Sequence, residues 1–201
     1  MPVVKVTRED WLRCALEALT VHGVAGVAVE PLARGLGVTR GSFYWHFPDR
    51  AALLTAALEE WERIGTSAVI DEVDGIEPPS QRLRVLLTRA LTDDPLAGLE
   101  SAVVAHAHDP LVGPVLERVT RRRLDYLAAV LSEIGLTPVV ARRHALATYA
   151  AYLGWLELRR AAPGAAPETT LDQDDKGGAL AHLVELIVPT VDAVTAGPTR
   201  A

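Results

Sequence analysis

Apolar residues recur along this chain at three- and four-residue spacings rather than in alternation, and alanine and leucine dominate, so the pattern predicts an all-helical protein. Thr7 followed by Asp10 forms a capping pair ahead of the set Trp11, Cys14, Ala15, Ala18 and Leu19, which predicts a first helix stopping at Gly23. A short second helix fits Glu30 to Leu36 with Pro31 in its first turn. Gly37 supplies a turn, Thr39 caps a third helix running to Phe47, and Pro48 ends it. A fourth helix from Asp49 carries Leu54, Leu58 and Trp61 on one face until Gly65, and the acidic stretch Asp71 to Ser80 reads as a loop.

Four further helices follow from successive caps at Ser80, Asp94, Asp109 and Thr137, the last three each preceding a proline. Two are long, Pro110 to Ile134 before Gly135 and Pro138 to Ala161 before Pro163. Ala162 to Gly178 has little to bury and is expected to be a mobile connection to a last helix at Ala179 to Val188.

The 201 residues suffice for a substantial core without staples, and the single cysteine, Cys14, cannot form an internal disulfide. Met1 to Asp10 does not resemble a signal peptide, and the longest charge-free apolar stretch, Ala145 to Leu156, is far short of the ~20 residues of a membrane span. The expectation is a cytoplasmic chain with no membrane partner.

The net charge of -6 argues against nucleic acid when taken as an average. The first 50 residues differ: Lys5, Arg8, Arg13, Arg34, Arg40 and Arg50 stand against Glu9, Asp10, Glu17, Glu30 and Asp49, a surplus of one positive charge, and the acidity lies in the remainder. Placement of those few cations therefore decides the matter.

The stretch Leu32 to Leu54 puts a short helix, a glycine turn and a second short helix at the spacing of a helix-turn-helix. At about 100° per residue, Leu36, Thr39, Phe43 and Phe47 turn inward. Gly41 and Trp45 point the opposite way, flanked by Arg40 and Tyr44 on one side and Ser42 and His46 on the other. A face with donors, an aromatic rim and a glycine suits a major groove better than a core.

These residues resemble the TetR family of regulators. Gly37, Val38 and Thr39 match its turn, and Phe43, Tyr44, Trp45, His46, Phe47 and Arg50 match the motif that follows, with Ala15, Leu16 and Gly23 agreeing in the first helix. The resemblance implies that Tyr44, His46 and Arg50 grip phosphates while Arg40, Ser42 and Trp45 lie against base edges, with Thr39 and Gly41 completing the surface. Val27 stands where the family usually has threonine, removing a phosphate donor or cap, and Arg50 stands where lysine is usual. Gly35 inside the second helix is costly and hints at tight packing there.

The resemblance further implies a helix-turn-helix head at residues 1–50 and, at residues 51–201, an α-helical domain that binds a small effector and forms a homodimer through its last two long helices. Candidate dimer residues are Tyr152, Leu158, Leu183 and Ile187, and candidate pocket residues are Trp61, Tyr126, Tyr149 and Trp155, aromatic walls that suit a lipophilic molecule. The expected partners are a palindromic double-stranded DNA operator, the effector and a second copy, with release of the operator, and so relief of repression, as the output. A constitutive DNA binder or a protein adaptor with a solid body is the alternative.

No catalytic constellation, cofactor motif or metal site is expected. The sequence lacks paired glutamates with Glu-x-x-His, a glycine-rich phosphate loop and cysteine-histidine metal spacing. His106 and His108, two apart on a helix, face nearly opposite ways.

Overall fold

The computed structural model describes residues 6–92, 98–164 and 178–189, and within them regular structure is helical throughout. The described residues divide into two compact units, one from Met1–Ser67 with Leu96–Val119 and one from Ala68–Pro95 with Thr120–Ala201.

In the first unit, α1 (Arg8–Gly26) begins at a true capping box: the Thr7 hydroxyl accepts from the Asp10 amide, and the Asp10 carboxylate accepts from the Thr7 amide at 2.9 Å. Those Thr7 donors and Arg13 hold the Asp10 carboxyl below its ordinary range. The stop expected at Gly23 is a kink instead. Gly23 takes φ 65, and one more turn follows to Gly26.

The second helix is α2 (Val29–Gly35), whose N-cap, Ala28, offers no side-chain acceptor. Its end is a Schellman motif: Gly37, at φ 67, donates to the Arg34 carbonyl and Val38 donates to the Ala33 carbonyl. The third, α3 (Arg40–Phe43), is shorter than the expected run to Phe47. Past Phe43 the bonds tighten, with Trp45 donating to Ser42 and His46 to Phe43, so the segment finishes as narrow turns before Pro48.

Asp49 caps α4 (Arg50–Glu62) through the Ala52 amide at 2.8 Å. Leu53, Leu54, Ala57, Leu58 and Trp61 of α4 are buried with Trp11, Leu19, Phe43 and Phe47, so this compact unit extends past residue 50. The helical path also passes Gly65. A π turn at Arg63–Ser67 leads directly to α5 (Ala68–Val73), which shortens the expected loop to residues 74–78. Burial of Val73 gives α5 a reason to form.

The first unit is completed by α7 (Leu99–Ala105) and the opening turns of α8 (Val112–Ile134), which add Leu99, Val103, Val112, Val115 and Val119 to the core. Asp109 does act at the α8 start, accepting from Leu111 at 2.8 Å, but the resulting turn delays the helix two residues beyond Pro110. The expected cap at Asp94 lies outside the described residues, as does most of the expected connection, at 165–177.

The second unit packs α6 (Pro79–Thr92), the rest of α8, α9 (Pro138–Ala161) and α10 (Ala179–Ile187) around Leu83, Leu87, Leu91, Leu127, Leu131, Ala141 and Ala145. Ser80 sits inside the first turn of α6 rather than before it, and Thr137 has cap backbone geometry without a side-chain bond. Gly135 closes α8 with a second Schellman pair, Gly135 to Ser132 and Leu136 to Leu131.

A buried guanidinium ties this unit together. Arg82 donates to the Ile76 carbonyl, Glu77 and Glu133 at 3.1, 2.8 and 3.0 Å, which satisfies a charge that burial alone would penalise.

Candidate nucleic-acid interface

The outward face of α3 is built from the inside out. Phe43 is fully buried, meeting Trp11 edge-on at 5.3 Å and stacking on Phe47 at 5.8 Å, and these contacts fix the roll of α3 against α1. The period of the helix then forces the other face outward. Trp45 is 88% exposed and Tyr44 52%, an arrangement costly in water and useful against another surface.

Arg40 and Tyr44 form one unit. The guanidinium Nη2 donates to the Tyr44 hydroxyl at 3.0 Å and lies 5.9 Å from the ring centroid, pre-aligning a planar donor with an aromatic edge. Gly41 lies between them and Trp45 with open space outward: a Cβ built there would meet only the Thr39 hydroxyl, at 3.6 Å. Ser42 and His46 are half-buried on the opposite flank.

Three expectations change. Thr39 is exposed rather than turned inward, and its side chain makes no cap bond. Val27 is fully buried, so this position supplies core rather than a missing polar contact to a partner. Gly35 is not tightly packed: an added Cβ would lie 3.9 Å from the Cys14 sulfur, an ordinary contact.

Arg50 also departs from expectation. Its Nε donates to the Val27 carbonyl at 2.6 Å and its Nη2 to the Val24 carbonyl at 2.5 Å, so the expected phosphate ligand is turned onto the end of α1. The reason is local, since α1 has no basic residue in its last turn to meet its terminal carbonyls.

Two contributors were not legible in the sequence. Arg8 places its guanidinium 5.0 Å from the Phe47 ring, a pairing across 39 positions that only the fold reveals. His106 fills the notch at Gly23, where a Cβ would come within 2.4 Å of its ring, while its Nδ1 bonds the Ala102 carbonyl at 2.8 Å. Cys14 is half-buried, and burial pushes its thiol up, the opposite of an activated nucleophile.

Of the aromatic residues picked out as pocket walls, Trp61 belongs to the first unit's core, whereas Tyr126, Tyr149 and Trp155 belong to the second. Tyr126 donates to Asp74 at 3.2 Å, and burial with the nearby Asp74 carboxylate pushes its hydroxyl up to about 12. Tyr149 is buried and stacks on Tyr152 at 5.9 Å. The Trp155 indole nitrogen is buried without a hydrogen-bond partner, as is the Thr148 hydroxyl two turns earlier on α9.

Of the residues expected at a dimer interface, Leu158 is exposed and Tyr152 and Leu183 are half-buried. Ile187 is buried in its own unit beside Val184 and Val188, which removes it from an outer surface, and Leu186 is exposed in its place. The turn of α10 decides this, since its inner face takes Val184 and Ile187.

A family model described as "Bacterial regulatory proteins, tetR family" matches residues 12–57, the span from α1 through the middle of α4. Residues 12–57 therefore form a TetR-type N-terminal domain. Two curated proteins are similar over short stretches. The uncharacterised regulator TtgW of Pseudomonas putida is 41% identical over 54 residues, 27% of this chain and 40% of that protein. The class C tetracycline repressor protein of Escherichia coli is 44% identical over 55 residues, 27% of this chain and 25% of that protein. The chain thus matches well under half the length of these relatives.

Beyond the head the likeness is one of fold. A transcriptional regulator from Rhodococcus sp. superposes with a TM-score of 0.71 over 91% of this chain and 94% of that one, at 18% identity. The fold is therefore all-α with a helix-turn-helix at its N-terminus. No helix among the described residues is long and apolar enough to cross a membrane.

Proposed function

We propose that this chain is a transcriptional regulator, a repressor in output, whose residues 1–50 read a palindromic operator and whose residues 51–201 bind a small lipophilic effector and a second copy of the chain. The observation that carries the reading is the two-sidedness of α3: Phe43 and Phe47 anchor it while Arg40, Gly41, Tyr44 and Trp45 face outward. Arginine reads guanine through two bonds, an aromatic edge meets a thymine methyl, and an open glycine lets backbone approach phosphate or base.

The dimer follows from need and from surface. Four residues of regular helix discriminate little alone, whereas two heads on a two-fold axis read half-sites roughly 34 to 36 Å apart. On α9 the exposed residues Leu146, Ala150, Gly154 and Leu158 succeed one another at four-residue spacing, and Leu186 is exposed on α10, an apolar strip with small residues for close approach that Arg143 bounds on α9. The effector reading draws support from Tyr149, Tyr152 and Trp155, aromatic side chains gathered on α9 with two buried polar atoms among them, the Thr148 hydroxyl and the Trp155 indole nitrogen. An effector that binds better to the form mismatched to the operator would release it by population shift.

Selection of duplexes by the full chain from a randomised library, at fixed salt, tests the reading. Recovery of a palindrome with half-sites one helical turn apart is the expected result, and recovery of no site overturns it. A melting scan with uncharged lipophilic compounds then tests the effector: a rise of several degrees is expected, and no shift leaves a constitutive binder.

A further inference from the structure

Arg50 stands at the first position of α4, immediately after the Pro48–Asp49 turn that leaves the recognition segment. A cation there is misplaced for its own helix, whose N-terminus already carries partial positive charge. Its guanidinium turns away and meets the opposite kind of site, the carbonyl end of α1, through Nε to Val27 and Nη2 to Val24. Arg50 is half-buried in doing so.

The α1 end has room for this partner: the Val24 carbonyl accepts the Val27 amide at 3.2 Å and has a second lone pair for the guanidinium. The helix is kinked at Gly23, Val27 is its C-cap, and the last turn holds no basic residue of its own. A planar fork serves two carbonyls at once, which a lysine ammonium, a point donor on a flexible stem, does not reproduce. The aim of α3 depends on the same framework. Its regular part is four residues long, and it is held by Phe43 against Trp11 of α1 on one side and by the short turn into α4 on the other.

We propose that Arg50 is a positioning residue that locks the end of α1 to the start of α4 and thereby sets the angle of the recognition helix, instead of serving as a phosphate-binding cation. This rests on the DNA-binding reading of the head. A phosphate contact and a brace differ in one measurable respect: a cation that neutralises a phosphate releases counterions, and a cation bound to carbonyls does not.

The test measures full-chain binding to the selected duplex and to a scrambled one across a salt series, for the wild type, Arg50→Lys and Arg50→Met. A brace predicts that both variants lose on the order of tenfold in affinity for the selected duplex. Affinity for the scrambled duplex and the slope against log salt stay near wild type. Lysine binding like wild type, together with a slope lowered by about one in the methionine variant, overturns the proposal. Amide hydrogen exchange without DNA provides the second readout: faster exchange at Val27 and Ala28 and in the first turn of α4 is expected in Arg50→Met, and unchanged exchange overturns the brace. If the wild type binds no duplex, the DNA reading fails and the positioning role with it, while the exchange experiment still decides whether Arg50 holds α1 to α4.

Discussion

Single residues separate what this chain needs from what it tolerates. Gly35 is helical, exposed and free of crowding, so Gly35→Ala should raise stability by about 0.5–1 kcal/mol, read as an increased denaturation midpoint. Gly23 is the opposite case. It needs a positive φ and leaves room for the His106 ring, so Gly23→Ala should cost on the order of 2–3 kcal/mol. His106→Ala in the same background should recover part of that loss, because it relieves the contact but not the backbone strain, and a double-mutant cycle reads the difference. The sequence reads Gly23 as a helix stop and Gly35 as a sign of tight packing, whereas Gly23 is a kink and Gly35 is uncrowded. Propensity is local, and what a missing Cβ makes room for belongs to another helix.

At the scale of elements the boundaries were legible wherever a cap or a glycine carried a local signal. Thr7 with Asp10, Gly37, Gly135 and Pro138 all punctuate helices where the sequence places them. The misreadings occur where no local signal marks the outcome: Gly65 lies inside a π turn, and after Phe43 the Trp45 and His46 amides bond three residues back while Phe47 still bonds the Phe43 carbonyl. Long-range polar contacts were invisible, among them Arg50 with α1 and Arg82 with Glu133.

The Arg82 group yields a pH prediction through its neighbour Tyr126. A hydroxyl pushed up to about 12 in the folded chain from 10.0 favours the neutral form, so the associated stability is complete below about pH 10 and is lost as pH rises through about 12. Denaturation of wild type should therefore weaken over that window more than that of Tyr126→Phe, and parallel curves would show that the hydroxyl carries no such linkage.

For the whole molecule, the sequence yielded the all-α class and the TetR resemblance because the head's signal is compact: the family model matches residues 12–57, and the relatives match over stretches of 54 and 55 residues. The second unit is less legible, since its aromatic residues serve packing as readily as ligand contact. Dimerisation belongs to this scale. Replacing Leu158 and Leu186 by glutamate together should shift the chain from dimer to monomer in sedimentation, with a fall in operator affinity and little change in helix content. A dimer that survives both changes would place the interface elsewhere.

The central claim is that the outward face of α3 reads DNA. Its most direct test is the affinity of Arg40→Ala/Tyr44→Ala for the duplex selected by the wild type, with melting temperatures of the two proteins compared alongside. Both side chains are exposed and Arg40 bonds Tyr44, but the Tyr44 ring also meets the buried Phe43 edge-on at 5.1 Å, so the melting comparison separates loss of that core contact from loss of DNA contacts. Specific affinity should fall by about a hundredfold or more, with at most a small drop in melting temperature. Equal binding by the variant and the wild type would contradict the account and remove α3 as the recognition helix.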